Sequence, residues 1–348
     1  MSNESDREVV LAPNEYAYIR DTTKGTVKTA VGPMTVTLTQ QEEPIEFDRQ
    51  TKEFKRVSAG HRIRFTTAPE GWYVELFNPA EEDKAGISHP ASPSTAASPD
   101  LDVGRKVVVP GPVSFPLWPG QMANVVRGHK LRTNQYLICE VYEAESAREN
   151  WESAVIETAD TGIGEGDTGD DGKKDKKTPK VAKKVEKSFV ESLVNGKRIV
   201  TKGTDVAFYI PPTGVKVLKT DGKYVREAVT LESPMEYAVL VSEKGKKEFP
   251  RGPAVVFPAP DQVFKTKDGS RKFKAIELNE ISGIYVKVTA PYTEKSGKGK
   301  EKKFEEGDEL FLTGKDVKFY IPREEHALIE YRKGQKVVVN RNYGREYK

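Results

Sequence analysis

The chain has 348 residues and a formal net charge of +3 at pH 7; 31% of its residues are charged and 36% are hydrophobic. This polar composition suits several small sheets with one wet face better than one thick core, and the nearly balanced charge gives no general nucleic-acid signature. The single cysteine, Cys139, excludes an intramolecular disulfide framework and a zinc site built from several cysteines. The N-terminus is polar rather than signal-like, and no apolar run approaches the ~20 residues of a membrane helix. We therefore expect a cytoplasmic protein, with incorporation into a virion or another large particle left open.

Along the chain, the predicted elements are mainly short strands, because β-branched and partly alternating runs are separated by Gly, Pro and Asn. Helical periodicity is largely limited to residues 143–157, which place Ala147, Trp151 and Val155 four apart, and to residues 186–194. The predicted fold class is mainly β, with tandem small antiparallel sheets and short helices that flank flexible linkers. The main predicted strand runs are TVKTAVGPMTVTLT, RKVVVPGPVSF, YVREAVTL, EYAVLVSE, IYVKVTA and QKVVVNRN.

Three stretches interrupt these strands and are predicted to be solvated loops or linkers. Residues 80–102 are rich in Pro, Ser and Ala, and they leave little to bury. Residues 157–187 form an acidic block followed by a lysine-rich block, and residues 293–303 read TEKSGKGKEKK.

Short phrases recur along the chain. The phrase P-x-E-Y-A begins at Pro13 and at Pro234, and a Gly-Pro pair follows each copy. Each Gly-Pro pair precedes a strand that begins with Tyr, and each interrupting stretch begins shortly after such a strand. Insertions of different length at one equivalent place indicate a repeated unit whose hairpin tip or inter-unit loop is free to grow. The Gly-Pro pairs are Gly32-Pro33, Gly111-Pro112 and Gly252-Pro253.

The phrase DVxFYIP occurs at residues 205–211 and 316–322, with six of its seven positions identical. We interpret it as a structural strand that its proline ends, because Phe, Tyr and Ile favour strands and Pro cannot donate to a ladder. Alternation then places Phe208 and Tyr209 on opposite faces, and in the second copy Val317 faces inward and Lys318 faces water. The first unit either lacks this strand or has lost its recognisable form.

No pattern of catalytic or metal-binding residues emerges. The four histidines, His61, His89, His129 and His326, lack the spacings of metal sites, and we place His326 in a polar turn after a strand. Cys139 lies in an apolar run that predicts a buried, inert thiol. The glycine-rich and acidic stretches match neither a calcium loop nor a phosphate-binding loop. We expect no enzyme activity, no cofactor and no small-molecule substrate.

The lysine-rich block carries eight lysines between residues 173 and 187 and suggests a contact with nucleic acid or another polyanion. The acidic block upstream would compete for these lysines, and no aromatic residues are interleaved for base stacking, so a solvated spacer is favoured. The polyanion candidates are Lys173, Lys174, Lys176, Lys177, Lys183 and Lys184.

The phrase VGRKVVVPGPVSFPLWPGQ, followed by HKLRTNQYL, resembles the repeat phrase of the major vault protein family, in which a Gly-Pro-x-x-Phe turn leads to a later Leu-Arg-x-Asn-Gln-x-Leu strand. Residues 306–331 and the ELFNP after Trp72 resemble further phrases of that family, and the resemblance runs from about residue 9 to residue 331 outside the interrupting stretches. It implies small antiparallel sheets stacked end to end as the staves of a ribonucleoprotein shell, without enzyme activity. The shorter chain and its insertions also fit a trimmed shell or fibre protein of a virus particle.

The resemblance and the linkers together imply an organisation in seven parts. These are a vault-like repeat at 1–79, a Pro/Ser/Ala linker at 80–103, the first β part of repeat 2 at 104–145, a helix with the charged linker at 146–188, the second β part of repeat 2 at 189–231, repeat 3 with its Lys-rich loop (293–303) at 232–331, and a partial terminal strand unit at 332–348.

The function that follows is that of a structural protein without enzyme activity, which self-assembles into a shell, fibre or particle with copies of itself or with other particle proteins. The alternative is a scaffold or binding module whose Lys-rich linker engages nucleic acid or another polyanion. We expect the assembly contacts at the Gly-Pro turns, at two tryptophans and at open strand edges. The interface candidates are Gly32, Pro33, Trp72, Gly111, Pro112, Trp118, Phe208, Gly252, Pro253 and Phe319.

Overall fold

A computed structural model describes residues 7–81, 88–158, 187–278, 283–295, 301–315, 317–332 and 335–339. Across these ranges the chain forms 35 strands, in many small sheets whose pairings are antiparallel, and the helices are few and short. The prediction of a mainly β fold built from small antiparallel sheets is confirmed. Contacts divide the chain into two compact units: Met1–Leu131, Cys139–Lys197 and Asp205–Leu218 form the first, and Arg132–Ile138, Arg198–Thr204 and Lys219–Lys348 form the second.

Within the described residues one pairing scheme occurs five times, and we call each occurrence a segment. In chain order a segment has an opening, a central, a return, a cap and an outer strand. The cap strand pairs with the opening strand, and the central strand pairs with the return strand on one side and with the outer strand on the other. The recurrence of the pairing is observed, whereas a common origin of the segments stays a prediction.

The first two segments contain the strands up to residue 127. Segment 1 has the opening strand β1 (Glu8–Leu11), the central strand β2 (Glu15–Asp21), the return strand β3 (Val27–Val31), the cap strand β4 (Met34–Thr37) and the outer strand β5 (Glu42–Asp48), followed by β6 (Glu53–Arg56), which pairs with β5, and β7 (Ile63–Arg64), which pairs with β2. Segment 2 has, in the same order of roles, β8 (Thr66–Ala68), β9 (Trp72–Phe77), β11 (Lys106–Pro110), β12 (Val113–Phe115) and β13 (Met122–Arg127), with β10 (Ser94–Ala97) between β9 and β11.

The other three segments follow the same order. Segment 3 has β14 (His129–Lys130), β15 (Gln135–Val141), β17 (Arg198–Lys202), β18 (Val206–Ile210) and β19 (Val215–Val217), with α1 (Ala144–Glu149), a 3-10 turn (Trp151–Ser153), β16 (Val155–Thr158) and α2 (Lys187–Glu191) between β15 and β17. Segment 4 follows β20 (Arg226–Glu227) and has β21 (Val229–Leu231), a central strand in two pieces, β22 (Glu236–Tyr237) and β23 (Leu240–Ser242), then β24 (Lys247–Glu248), β25 (Ala254–Val256) and β26 (Gln262–Phe264). Segment 5 follows β27 (Phe273–Lys274) and has β28 (Ile276–Glu277), β29 (Gly283–Val288), β32 (Glu309–Thr313), β33 (Phe319–Tyr320) and β34 (His326–Arg332), with the hairpin β30 (Tyr292–Lys295) and β31 (Glu301–Phe304) between β29 and β32, and β35 (Gln335–Val339) paired with β34.

The three interrupting stretches all lie in the same place, between the central and the return strand of a segment. The prediction of solvated loops is wrong for two of them where the structure describes them. Residues 94–97 form β10, which pairs with β3, and the third stretch forms the hairpin of β30 and β31. Their small or charged side chains leave little to bury, but backbone hydrogen bonds to a neighbouring strand hold them in place. Residues 159–186 of the charged stretch lie outside the described residues.

The first predicted helix is wrong in its last part. Only Ala144–Glu149 is α-helical, and Val155–Thr158 is a strand that pairs with β18. The run of β-branched residues from Val155 favours the strand, and the edge of β18 offers it a partner. Trp151, which the helical periodicity placed on the same face as Val155, instead packs edge-on against Phe189 with ring centres 5.4 Å apart.

The two DVxFYIP phrases are the cap strands of segments 3 and 5. Of the two alternatives for the first unit, the absence of this strand is wrong and the loss of its recognisable form fits, because β4 and β12 hold the same place after their Gly-Pro pairs. Phe208 and Tyr209 are both buried, since β18 lies between two strands and has packing on both faces. The prediction that Val317 faces inward is wrong, because this residue is 37% exposed. Lys318 is exposed, as predicted. Asp316 lies outside the described residues.

The phrase P-x-E-Y-A is a tight turn that leads into the central strand. The Glu15 N–H donates to the Ala12 carbonyl oxygen (3.2 Å), and the Glu15 carboxylate accepts from the Ala12 N–H (3.0 Å). Gln135 makes the same two contacts with Arg132 in segment 3. An acidic or amide side chain at this position therefore closes the turn, and the tyrosine that follows is buried in the sheet.

The glycine of each Gly-Pro pair is needed because the backbone passes directly over this turn. A β-carbon on Gly111 would lie 2.3 Å from the Pro69 carbonyl oxygen and 2.7 Å from that of Ala68, a contact that no side chain tolerates without a backbone shift. A β-carbon on Gly32 or Gly252 would lie 2.2 or 2.4 Å from a carbonyl oxygen of the corresponding turn. All three Gly-Pro bonds are cis. Gly203 holds the same place in segment 3 without a following proline, and a β-carbon there would lie 1.7 Å from the Arg132 carbonyl oxygen.

We expect Gly111→Ala to lower the free energy of unfolding by roughly 1–3 kcal/mol, because the added methyl group overpacks the turn. Urea denaturation followed by tryptophan fluorescence measures the change. Gly60→Ala is the matched control, since a β-carbon there would have its nearest neighbour, Ser58 Oγ, 3.8 Å away. Equal stability of the Gly111 variant and the wild type would contradict the close approach.

Candidate assembly surface

Each central sheet has two faces that carry apolar side chains. The inner face packs on the opening and cap strands of its own segment, as Ala17 and Ile19 do on Val9 and Leu11 in segment 1. The outer face points away from them and carries a tyrosine of the central strand. In segments 1 to 4, residues of the following segment's cap strand or of the loop after it reach this outer face. We call each such contact a joint.

The joint between segments 1 and 2 buries two tyrosines. Tyr16 and Tyr18 are 2% and 3% exposed, and they pack in one cluster with Leu117 from the loop after β12. The Tyr18 hydroxyl donates to the carbonyl oxygens of Leu117 (3.1 Å) and Trp118 (3.2 Å). Burial raises the pKa of Tyr18 well above its ordinary value, so the hydroxyl stays a donor.

The joint between segments 2 and 3 pairs an apolar contact with a backbone hydrogen bond. Tyr73 packs with Phe208 and Ile210 from the DVxFYIP cap strand. In the loop that follows, the Thr213 hydroxyl accepts from the Val108 N–H of the return strand at 2.9 Å. The cap strand and its loop thus meet both the face and the edge of the preceding sheet.

The joint between segments 3 and 4 is aromatic. Tyr136 is 5% exposed, and its ring meets Phe257, from the loop after β25, edge to face at 6.1 Å. The Lys202 ammonium of the return strand lies 5.4 Å from the Phe257 ring centre, within the range of a cation–π contact. The phenylalanine therefore bridges the face and the return strand of segment 3.

The joint between segments 4 and 5 repeats the features of the second joint. Tyr237 is 2% exposed and shares a cluster with Ile321, the isoleucine of the second DVxFYIP phrase. The Glu324 carboxylate, from the loop after that phrase, accepts from the Lys247 N–H at 3.0 Å. Both DVxFYIP copies thus supply the isoleucine of a joint.

The outer face of segment 5 differs, because its aromatic residues are exposed. Tyr285 of the central strand lies directly opposite Phe311 of the return strand, with ring centres 4.4 Å apart. Tyr285 is 37% exposed and Phe311 is 52% exposed. The Phe311 ring also lies over Gly283, where a β-carbon would meet Cζ at 2.6 Å. Lys287 and Glu309, the next pair on this face, face each other across the same two strands.

A groove of about 560 Å³ runs beside the return strand of segment 5. Its walls include Phe311 and Phe319 on one side and the β30–β31 hairpin on the other. Arg323 also lines it, pairs with the Glu294 carboxylate at 2.7 Å and lies 5.6 Å from the Tyr292 ring centre. The groove thus combines an aromatic wall with paired charges.

The prediction that His326 lies in a polar turn is wrong, because this residue begins β34 and is 6% exposed. Its Nδ1 atom lies 3.0 Å from the Tyr320 hydroxyl and its Nε2 atom 2.8 Å from the Tyr292 hydroxyl. A neutral imidazole has one donor and one acceptor nitrogen, which the two hydroxyls satisfy. Burial, and then the nearby Arg323, lower the pKa of His326 to about 4.

The two predicted tryptophans lie in different surroundings. Trp118 is 6% exposed; its indole N–H donates to the Ser88 carbonyl oxygen (3.1 Å) and its backbone N–H to the Gln121 side chain (2.9 Å). It therefore belongs to the interior of the first unit. Trp72, at the start of β9, is 37% exposed and stays available to a partner.

The remaining candidates fall into three groups. The Gly-Pro pairs lie at the turns described above, where their glycines serve chain packing. Phe208 is buried in a joint, whereas Phe319 lines the groove of segment 5. The six polyanion lysines lie outside the described residues, and Cys139 is buried, as predicted. No sequence pattern marks Tyr285 and Phe311 as exposed, because Tyr285 begins its strand in the same way as the buried tyrosines of the other central strands.

Compared with known proteins, the chain matches no family model and no curated sequence. In the ranges that the structure describes, no group of three or more His, Cys, Asp and Glu residues is placed to hold a metal ion. Within those same ranges, no helix is both long enough and apolar enough to cross a membrane.

We expect the protein to lose stability as the pH falls from 6.5 towards 4. His129, whose Nε2 lies 3.3 Å from the Tyr73 hydroxyl, and His326 are buried, and burial lowers the pKa of each to about 4. Below pH 6.5 the unfolded chain therefore binds protons at these histidines that the folded chain does not bind. Each histidine lowers the free energy of unfolding by on the order of 1–3 kcal/mol by pH 4. Urea denaturation at pH 7, 5.5 and 4.5 measures this loss.

His326→Gln should flatten part of this pH dependence, since glutamine does not titrate and still offers a donor and an acceptor. His89→Gln, at an exposed histidine, is the control for the substitution itself. A slope that is the same in wild type and in the His326 variant would contradict the assignment of a buried neutral imidazole.

Proposed function

We propose that this chain is a structural protein without enzyme activity that self-assembles, through its β segments, into a shell, fibre or particle. The observation that carries the proposal is the exposed aromatic pair Tyr285 and Phe311 on the outer face of segment 5. The same face is covered in the four preceding segments, each time by the segment that follows. An exposed apolar patch at a place where the fold otherwise buries its tyrosines favours a partner of similar chemistry.

The strand edges support the same proposal. Return strands gain contacts from the following segment in the form of a whole strand, as β10 gives to β3, or of single side chains, as Thr213 gives to Val108. Strand edges are ready sites for further pairing, and repeated units bury their open faces by stacking. The resemblance to the major vault protein family suggests an assembly of the same kind, with copies of this chain or other particle proteins as partners.

We expect the average molar mass of the nuclease-treated protein to increase with concentration between roughly 1 and 100 μM, since small exposed apolar patches give weak, reversible contacts. Size-exclusion chromatography with light scattering measures the mass. The association should persist at ~0.5 M salt, because apolar contacts are not screened as charge contacts are.

A strictly monomeric chain at 100 μM would contradict self-assembly. Association that disappears at high salt would contradict the apolar surface and would favour a charge-driven contact instead. Removing residues 175–187 is the matched control, because this deletion takes away lysines of the charged stretch and none of the strands that define the five segments.

A further inference from the structure

We propose that the outer face of segment 5 receives segment 1 of a second copy of this chain, so that copies join head to tail. The contacting surface on segment 1 would be the loop after its cap strand, residues 38–41, together with Val10 on the adjoining strand pair. This inference rests on the proposed function, since it names the two surfaces that self-assembly would use.

The cap strand and the loop after it make the joints in the other segments. Leu117, Ile210, Phe257 and Ile321 come from the cap strands or following loops of segments 2 to 5, and each contacts the segment before it. Within the residues that the structure describes, segment 1 contacts no earlier segment through its cap strand or the loop after it. Its loop carries Thr39, Gln40 and Gln41, all exposed.

The loop of segment 1 carries the same kind of hydrogen-bond acceptors as the loops that make the joints. In two joints a polar side chain of the loop accepts a hydrogen bond from a backbone N–H on the return strand of the preceding segment. Thr213 accepts from Val108, and Glu324 accepts from Lys247. The hydroxyl of Thr39 and the amide oxygens of Gln40 and Gln41 are acceptors of the same kind. The return strand that such acceptors would meet in a second copy is β32.

The apolar part of the contact would come from the opening and cap strands of segment 1. In the joint between segments 2 and 3, Phe208 of the cap strand packs on Tyr73, and Phe208 pairs across the strands with Lys130. In segment 1, Val10 of the opening strand pairs with Thr35 of the cap strand, and Val10 is 53% exposed. Val10 is therefore an apolar side chain on the strand pair that leads into the loop, available to Phe311 of another copy.

Such a contact is heterologous, because the two surfaces differ, and it repeats without using either surface twice. Each copy keeps one unused surface after it binds a neighbour. The assembly therefore grows by addition until it closes into a ring or continues as a fibre. A symmetric contact between two segment 5 faces would instead stop at a dimer.

The test uses two full-length variants, each blocked on one surface. Phe311→Asp places a charge in the segment 5 face, and Val10→Asp places a charge on segment 1; both positions are about half exposed, so both variants should fold. Circular dichroism and the urea midpoint check the fold. Val103→Asp, at a valine that is 80% exposed in segment 2, is the matched control.

We expect each blocked variant to be monomeric at a concentration where the wild type and the Val103 variant associate. An equimolar mixture of the two blocked variants should form a 1:1 dimer and nothing larger, because the first supplies an intact segment 1 and the second an intact segment 5 face. Light scattering, or mass photometry with one variant carrying a mass tag, distinguishes this dimer.

Three results would overturn the inference. They are a Val10 variant that associates like the wild type, a mixture of the blocked variants that stays monomeric, and a Val103 variant that dissociates as strongly as the other two. In each case the wild type still associates, and the proposed function stands with other surfaces. A wild type that is monomeric under all conditions removes both the inference and the proposed function.

Discussion

The outer face of a central sheet carries a tyrosine that the strands of its own segment do not cover, and in segments 1 to 4 the following segment covers it. The opening and cap strands pack on the inner face, which leaves the tyrosine of the central strand open to water. Burying such a side chain is worth about 1.5–3 kcal/mol, a large part of what a small sheet can contribute. The joints meet this need, because each segment from the second onward covers the one before it.

This constraint explains where the chain varies and where it does not. The tip between central and return strands supplies none of the cap-strand or loop residues that make the joints, and all three insertions occur there; one of them adds a separate contact, since its strand β10 pairs with β3 of the preceding segment. The turn before the central strand is different, because a β-carbon on the return-strand glycine would lie only 2.2–2.4 Å from one of its carbonyl oxygens in three segments. The DVxFYIP strand is conserved between segments 3 and 5 in its Phe, Tyr, Ile and Pro, and its isoleucine is the joint residue in both.

Local chemistry made part of this fold predictable from sequence. The Gly-Pro pairs, the P-x-E-Y-A turn and the shared position of the insertions depend on neighbouring residues in the chain, so their patterns are visible in the text. The strand β10 was missed because Ser94–Ala97 lacks an apolar pattern and is held by backbone pairing with β3. His326 was missed for a similar reason: its partner Tyr292 is 34 residues away in sequence. The exposure of Tyr285 depends on which segment covers it, and no local pattern records that.

The chemistry of segments 1 and 5 differs from that of the inner joints in a direction that the proposed assembly explains. An inner joint forms within one chain, at a high effective concentration, and tolerates fully apolar residues such as Ile210 and Ile321. A surface that meets another copy must also be soluble alone. The loop of segment 1 carries Thr39, Gln40 and Gln41, whereas segments 3 and 5 have Ile-Pro after the Phe-Tyr of the cap strand. Lys287 and Glu309 border the aromatic pair of segment 5. Polar residues at the rim weaken an apolar contact and make it reversible. On the proposed assembly, the same joint is therefore permanent inside the chain and dependent on concentration between chains.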